Sequence, residues 1–226
     1  MINIQRNIWL IYMPQKILWL FIALNTIAML LYPGSTFLDH STVGYSFTHN
    51  FLSDLGRTHT FSDDNNFFSS QLFNISLILA GTIFALFYIN LQKVFNAIKE
   101  KKLSLIGAIF GVLGGLCLIG VGMTPADLYL DLHVFCANWL FRFMFVASFF
   151  YTVVIFRHPA FENKYAGGYL IFTFSILLYI LISELGPDPK LNSLALTLQV
   201  ISQKMILIIF IVAVYIQTMG LKKLYK

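Results

Sequence analysis

LSLIGAIFGVLGGLCLIGVGM, from Leu103 to Met123, runs for 21 residues without a charge. A helix that crosses a bilayer needs about 17–25 mostly apolar residues, so the stretch reads as a transmembrane span. Its glycines recur with small-xxx-small spacing, Gly107/Gly111 and Gly111/Gly115. That spacing lets a second helix approach closely, and it predicts a span at the centre of its bundle. Outward from it, Ser70–Leu91, Leu132–Phe156, Gly168–Ser183 and Leu194–Tyr215 have the same apolar character. A sixth run, near Ile17–Tyr32 and beginning at about residue 14, follows Pro14, Gln15 and Lys16. The YPGSTF that follows it offers no small-residue cleavage site, so it reads as a retained first span rather than a signal peptide.

Composition agrees: 58% of residues are hydrophobic, 11% are charged, and mean hydropathy is +0.76, against about 25% charge in a soluble domain. The expected fold is all-α, one polytopic membrane domain over residues 1–226 built as a six-transmembrane-helix bundle. Its spans cover approximately 14–32, 70–91, 103–123, 132–156, 168–183 and 194–215. Cys117 and Cys136 both fall inside spans, which leaves packed thiols rather than a disulfide framework.

A net charge of +5 could suggest nucleic acid, but the distribution of the charges argues otherwise. Eleven of the 15 basic residues (Arg6, Lys16, Lys93, Lys99, Lys101, Lys102, Arg157, Lys164, Lys222, Lys223 and Lys226) fall in segments that six spans place on one side. The positive-inside rule makes that side, with both termini, cytoplasmic. Membrane lipids are the expected partners, with no nucleic acid, and a bacterial or archaeal cytoplasmic membrane the expected location. The segments 33–69, 124–131 and 184–193 then face outward with eight of the ten acids, and the 33–69 loop is long and aromatic enough to be an ordered lid.

Two of those acids lie in matching motifs, Ser53-Asp54-Leu55-Gly56 and Ser183-Glu184-Leu185-Gly186, on the same side of the membrane. Taken alone, either copy can be a capped turn in which glycine permits a positive φ. The 124–131 segment adds Asp127, followed by His133. On a continuous helix Asp131, Asn138 and Arg142 share one face, with His133 nearly opposite. Asn192, Gln199 and Gln203 form a polar stripe on the last span, with Lys204 beside it. Intramembrane cations are costly without partners, so Arg142 and Lys204 are expected to draw on the outer acids. The expectation is one polar pocket in which Asp54, Glu184, Asp127 and His133 converge above Arg142 or Lys204.

S-D-L-G after the first span, P-x-D with a following His before the fourth, and S-E-L-G ending the fifth resemble the six-span bacterial and archaeal family called domain of unknown function 998. The resemblance covers nearly the whole chain, and it marks Ser53, Asp54, Gly56, Pro125, Asp127 and His133 as family-type positions. A more distant similarity is to the damage-regulated autophagy modulator proteins, which also carry S-D-x-G after their first span. Neither resemblance implies a defined activity.

The residues themselves suggest a hydrolase or transferase on a lipid or lipid-linked substrate. Ser53 is the candidate nucleophile or ligand and His133 the candidate general base or metal ligand, while Asp54, Asp127 and Glu184 orient groups or share protons. Asn50, Arg142, Gln203 and Lys204 are the substrate-binding candidates, the two cations for an anionic head group. A zinc site would need three ligands, His133 with two of His40, His49 and His59, and no close pair of these has metal spacing. The alternative is a non-enzymatic lipid-binding, scaffold or regulatory protein, and a transporter ranks third. P-loop, G-x-S-x-G, H-E-x-x-H and C-x-x-C motifs are absent.

Overall fold

A computed structural model describes residues 8–95 and 100–224; Arg6, Lys99 and Lys226 lie outside the described residues. Six helices are long and apolar enough to cross a membrane: α1 (Ile8–Leu31), α2 (Phe67–Val94), α3 (Lys101–Met123), α4 (Leu130–Arg157), α5 (Asn163–Leu185) and α6 (Ser193–Leu224). The chain is an integral, multi-pass, all-helical membrane protein, and among the described residues pairing of the β type is confined to two isolated bridges. Within α1, Ile8–Tyr12 is a π-helical turn and the α-helical part begins at Met13, with Pro14 at its start. That helix stops at Leu31, and Tyr32 is extended as the residue before Pro33.

Each helix packs on its neighbours in sequence, and α1 also meets α6, closing a ring. Expected at the centre, α3 is instead a wedge between α2 and α4. A Cβ at Gly111 would lie 2.3 Å from the Tyr88 ring, and one at Gly115 would lie 2.8 Å from the Gly81 carbonyl, both on α2. Gly107 and Gly114 face Tyr151 and Met144 of α4 in the same way. The spacing therefore marks two interfaces, and the middle of the ring is left to a cavity.

Residues 32–66 fold over one end of the ring as a lid. It carries the bridges Gly34–Val43 and His59–Asn65 and a short 3-10 helix, Leu52–Gly56. Gly34 has a φ of 149° and would drive a Cβ to 2.3 Å from the Thr42 carbonyl, so no side chain fits there. At the other end Glu162 pairs with Lys164 and Lys223, tying the α4–α5 connection to the end of α6.

Candidate functional site

All six helices contribute to a central cavity of about 160 Å³, and 19 of its 22 lining residues are apolar. The deeper wall includes Phe84, Met144, Phe172 and Phe210. A dry apolar cavity of comparable size in a soluble protein takes up small hydrocarbons. The three polar lining residues, Ser53, His133 and Gln203, come from the 3-10 helix, α4 and α6. The wheel mismatch along α4 is thereby explained, because His133 is buried against the cavity while Asp131 is exposed.

Each polar residue is held by a specific contact. The imidazole Nδ1 of His133 lies 2.6 Å from the carbonyl oxygen of Thr124, the residue that ends α3. A carbonyl only accepts, so Nδ1 carries the proton and Nε2 of the neutral ring keeps its lone pair. No described residue hydrogen-bonds Nε2 or the Ser53 hydroxyl. The Gln203 amide accepts the Leu52 N–H through Oε1 at 2.8 Å, which fixes its orientation and leaves its NH₂ as donor.

The adjacent ionisable residues hold the lid. Asp54, only 5% exposed, accepts the N–H of Phe51 at 2.8 Å and the Asn50 amide at 3.2 Å. The first of these bonds returns from the third position of the 3-10 helix to its N-cap, half of a capping box. Burial raises the Asp54 carboxyl to about 6, opposed by the Asn50 and Phe51 hydrogen bonds and the charges of Arg57 and Lys204. Asn50 also bonds the Ser35 carbonyl and accepts the Ser46 N–H, so its side chain braces the lid internally.

Lys204 was expected to need an acid. Its ammonium instead donates to the Asn50 carbonyl at 2.6 Å and lies 5.3 and 5.0 Å from the rings of Tyr45 and Phe47. A carbonyl dipole and two π faces stabilise the charge, with Asp54 acting only at longer range. Lys204 and Gln203 are thus neighbours with different tasks, one gripping the lid and the other lining the cavity.

Asp127 also serves the lid. It accepts the N–H and hydroxyl of Thr58 and the N–H of His59. Partial burial works to raise its carboxyl, but these hydrogen bonds outweigh it and hold the group below the ordinary carboxylate value. Glu184 pairs with Arg142 at 2.5 Å, with the two side chains 44% and 37% exposed, and Arg142 lies over Trp139. Neither lines the cavity. The expected convergence of Asp54, Asp127, Glu184 and His133 on one pocket is not what the structure contains: His133 is in the cavity, Asp54 and Asp127 are lid fasteners, and Glu184 is in an ion pair on the flank.

The two S-acid-L-G motifs differ for the same reason. The first forms the 3-10 helix; the second is the end of α5, where the Gly186 N–H bonds back to the Ile182 carbonyl. Neither Gly56 nor Gly186 has a positive φ. Gly56 is required by close approach, since a Cβ there would lie 2.6 Å from both Phe73 and Asn74 of α2.

The histidines proposed as joint metal ligands are dispersed in their contacts. His40 stacks on Phe61, His49 reaches Ser193 at 2.8 Å, and His59 contacts Thr58. Among the described residues no group of three or more His, Cys, Asp or Glu is placed to hold a metal ion. Residues that the sequence did not single out are Thr124, which orients His133, and Asn66 and Asn74, which bond the carbonyls of Leu55, Arg57 and Gly56. Asn66 immediately precedes the first residue of α2, a cap position that could have drawn attention to it.

No curated protein and no solved structure matches the chain, so the resemblance to the autophagy modulators gains no support. The family model described as "Protein of unknown function (DUF998)" matches residues 26–214, a range that runs from within α1 to within α6 and includes the lid and every polar residue of the cavity. The chain belongs to the DUF998 family.

Proposed function

We propose that this membrane protein admits the hydrocarbon part of a lipid into its central cavity and transfers or hydrolyses an acyl group at the polar end. One observation carries the reading: Ser53 and His133 line an otherwise mostly apolar cavity, and the Nδ1 contact with Thr124 leaves Nε2 of His133 with a free lone pair. Ser53 and His133 are not hydrogen-bonded to each other in the structure, so the reaction requires them to close around the substrate or to act through one water; the Ser53 proton then passes to His133 Nε2 as Oγ bonds the acyl carbon. The acyl–oxygen bond breaks, and His133 returns the proton to the departing alcohol. Water then releases the acid from Ser53 in a hydrolase, and a second alcohol accepts the acyl group in a transferase.

In purified protein, release of fatty acid from a long-chain monoacylglycerol should fall to background in Ser53→Ala, at least ~100-fold below wild type. Equal turnover by the two proteins refutes the enzymatic reading. One feature favours non-enzymatic lipid binding as the second reading: a backbone carbonyl rather than a carboxylate orients His133. Co-purified lipid without turnover by the wild type would select it.

The lid end is assigned to the outer side, because most basic residues lie at the opposite end or in segments leading to it. A topology reporter fused after Lys101, in the α2–α3 connection, should report cytoplasm. A signal from outside would reverse the orientation.

A further inference from the structure

The cavity's polar end contains no permanently charged side chain. Its free hydrogen-bonding groups are an acceptor, His133 Nε2, a donor, the Gln203 NH₂, and the Ser53 hydroxyl, which can donate and accept. The cations that could neutralise an anionic head group are engaged elsewhere. Lys204 is held by the Asn50 carbonyl and two rings, Arg142 by Glu184, and Arg57 by the His59 carbonyl and the Phe61 face. Asp54 and Asp127, which could meet a cationic head group, do not line the cavity, and both accept donors from the lid, Asp54 through Oδ2 alone.

We propose that the ligand of this site carries an uncharged polar end, a hydroxyl, ester or amide on a long aliphatic chain, and that amphiphiles with charged heads are rejected there. The proposal rests on the reading that a lipid chain occupies the cavity. A hydroxyl can donate to His133 Nε2, and an ester or amide carbonyl can accept from Gln203 and Ser53, so each polar group that lines the cavity finds a partner. A phosphate or quaternary ammonium in the same place would be a buried charge without a counter-ion, which is far costlier than an unpaired neutral dipole. The earlier expectation of Arg142 or Lys204 holding an anionic head group is replaced by this one.

The test uses the full chain in phosphatidylcholine nanodiscs at pH 8, above the ordinary histidine value of about 6.5, so that His133 adds no charge. Three photoreactive probes share one alkyl-diazirine chain and end in a hydroxyl, a phosphate or a trimethylammonium group. Crosslinked peptides are mapped by mass spectrometry. The alcohol should label peptides containing Phe84, Met144 or Phe210 at least ~10-fold more than either charged probe, a ratio equivalent to about 1.4 kcal/mol in binding. Excess unlabelled monoacylglycerol should remove that labelling. Equal labelling by the phosphate or ammonium probe overturns the selectivity and leaves chain occupancy standing. Absence of cavity labelling by all three overturns occupancy, and the selectivity with it.

Discussion

His133→Asn is expected to lower the reactivity of Ser53 toward a long-chain ester by ~10²–10⁴-fold, the range over which a positioned general base contributes, while leaving the fold intact. Asparagine is chosen because its NH₂ can replace Nδ1 as donor to the Thr124 carbonyl, the contact that His133 makes at 2.6 Å. It offers no basic nitrogen in place of Nε2. A purely structural histidine would therefore be replaced with little consequence, and a catalytic one would not. His133→Ala removes both functions and leaves the Thr124 carbonyl without this donor, so it should also lose thermal stability. Phosphonylation of Ser53 by a fluorophosphonate, in which the serine oxygen bonds phosphorus and fluoride leaves, followed by gel fluorescence and peptide mapping, measures the nucleophile's reactivity. Wild-type rates in His133→Asn would remove the base from the mechanism.

The fold was legible because its signal is one of length. An uncharged run such as Leu103–Met123 has few alternatives, and every expected span corresponds to a helix. The helices extend past the apolar runs at most ends, as for α2 and α6, because polar residues such as Ser69 and Lys222 continue the helical hydrogen bonding beyond the apolar stretch. The packing of α3 was only half legible. Gly107, Gly111, Gly114 and Gly115 announce close contact, but their angular positions serve two neighbours, and spacing alone does not say how many helices approach.

The site was less legible, for reasons of partner choice. A lysine in a span signals that its charge must be compensated, and acids are the partners that a sequence displays. Lys204 uses the Asn50 carbonyl with Tyr45 and Phe47, residues of a lid more than 150 positions earlier in the chain. Backbone carbonyls and ring faces have no signature of that kind. The repeated S-acid-L-G tetrapeptide misled because its surroundings decide its role: Asp54, at the third position of a 3-10 helix, caps its start, whereas Glu184 lies at an exposed helix end. His133 was identifiable by its residue type and by facing away from Asp131, Asn138 and Arg142. The cavity itself was not, since a phenylalanine lining a void and one packed in a core read alike in sequence.

Measured against Asp54→Asn, the stability of the wild type in detergent should fall as the pH rises from about 4 to about 6. Asp54 is raised by burial to about 6, against 3.8 for an exposed carboxyl. Between those values the folded protein holds a proton that the unfolded chain has released, so folding weakens with increasing pH, by about 3 kcal/mol in total at 1.36 kcal/mol per pH unit. Above about 6 both states are ionised and the contribution is flat. Asp127 acts oppositely and in another window. Its carboxyl is held below 3.8 by Thr58 and His59, so its contribution is present above 3.8 and is lost only as the pH falls through the lower folded value. The groups near Asp54, besides Asn50 and Phe51, are Tyr32, Tyr45, Arg57 and Lys204. Burial holds both tyrosines above their ordinary value, so neither titrates between pH 4 and 6. In Asp54→Asn the amide oxygen still accepts the Phe51 N–H, preserving the turn without the buried charge, so at pH 7 the variant should be at least as stable as wild type. Asp54→Ala deprives Phe51 of that partner and should be less stable than Asp54→Asn. Thermal unfolding followed by intrinsic fluorescence at pH 4, 5, 6 and 7 separates the three proteins. An Asp54→Asn variant that keeps the wild-type slope would show that the lid's response to pH is set by a group other than Asp54.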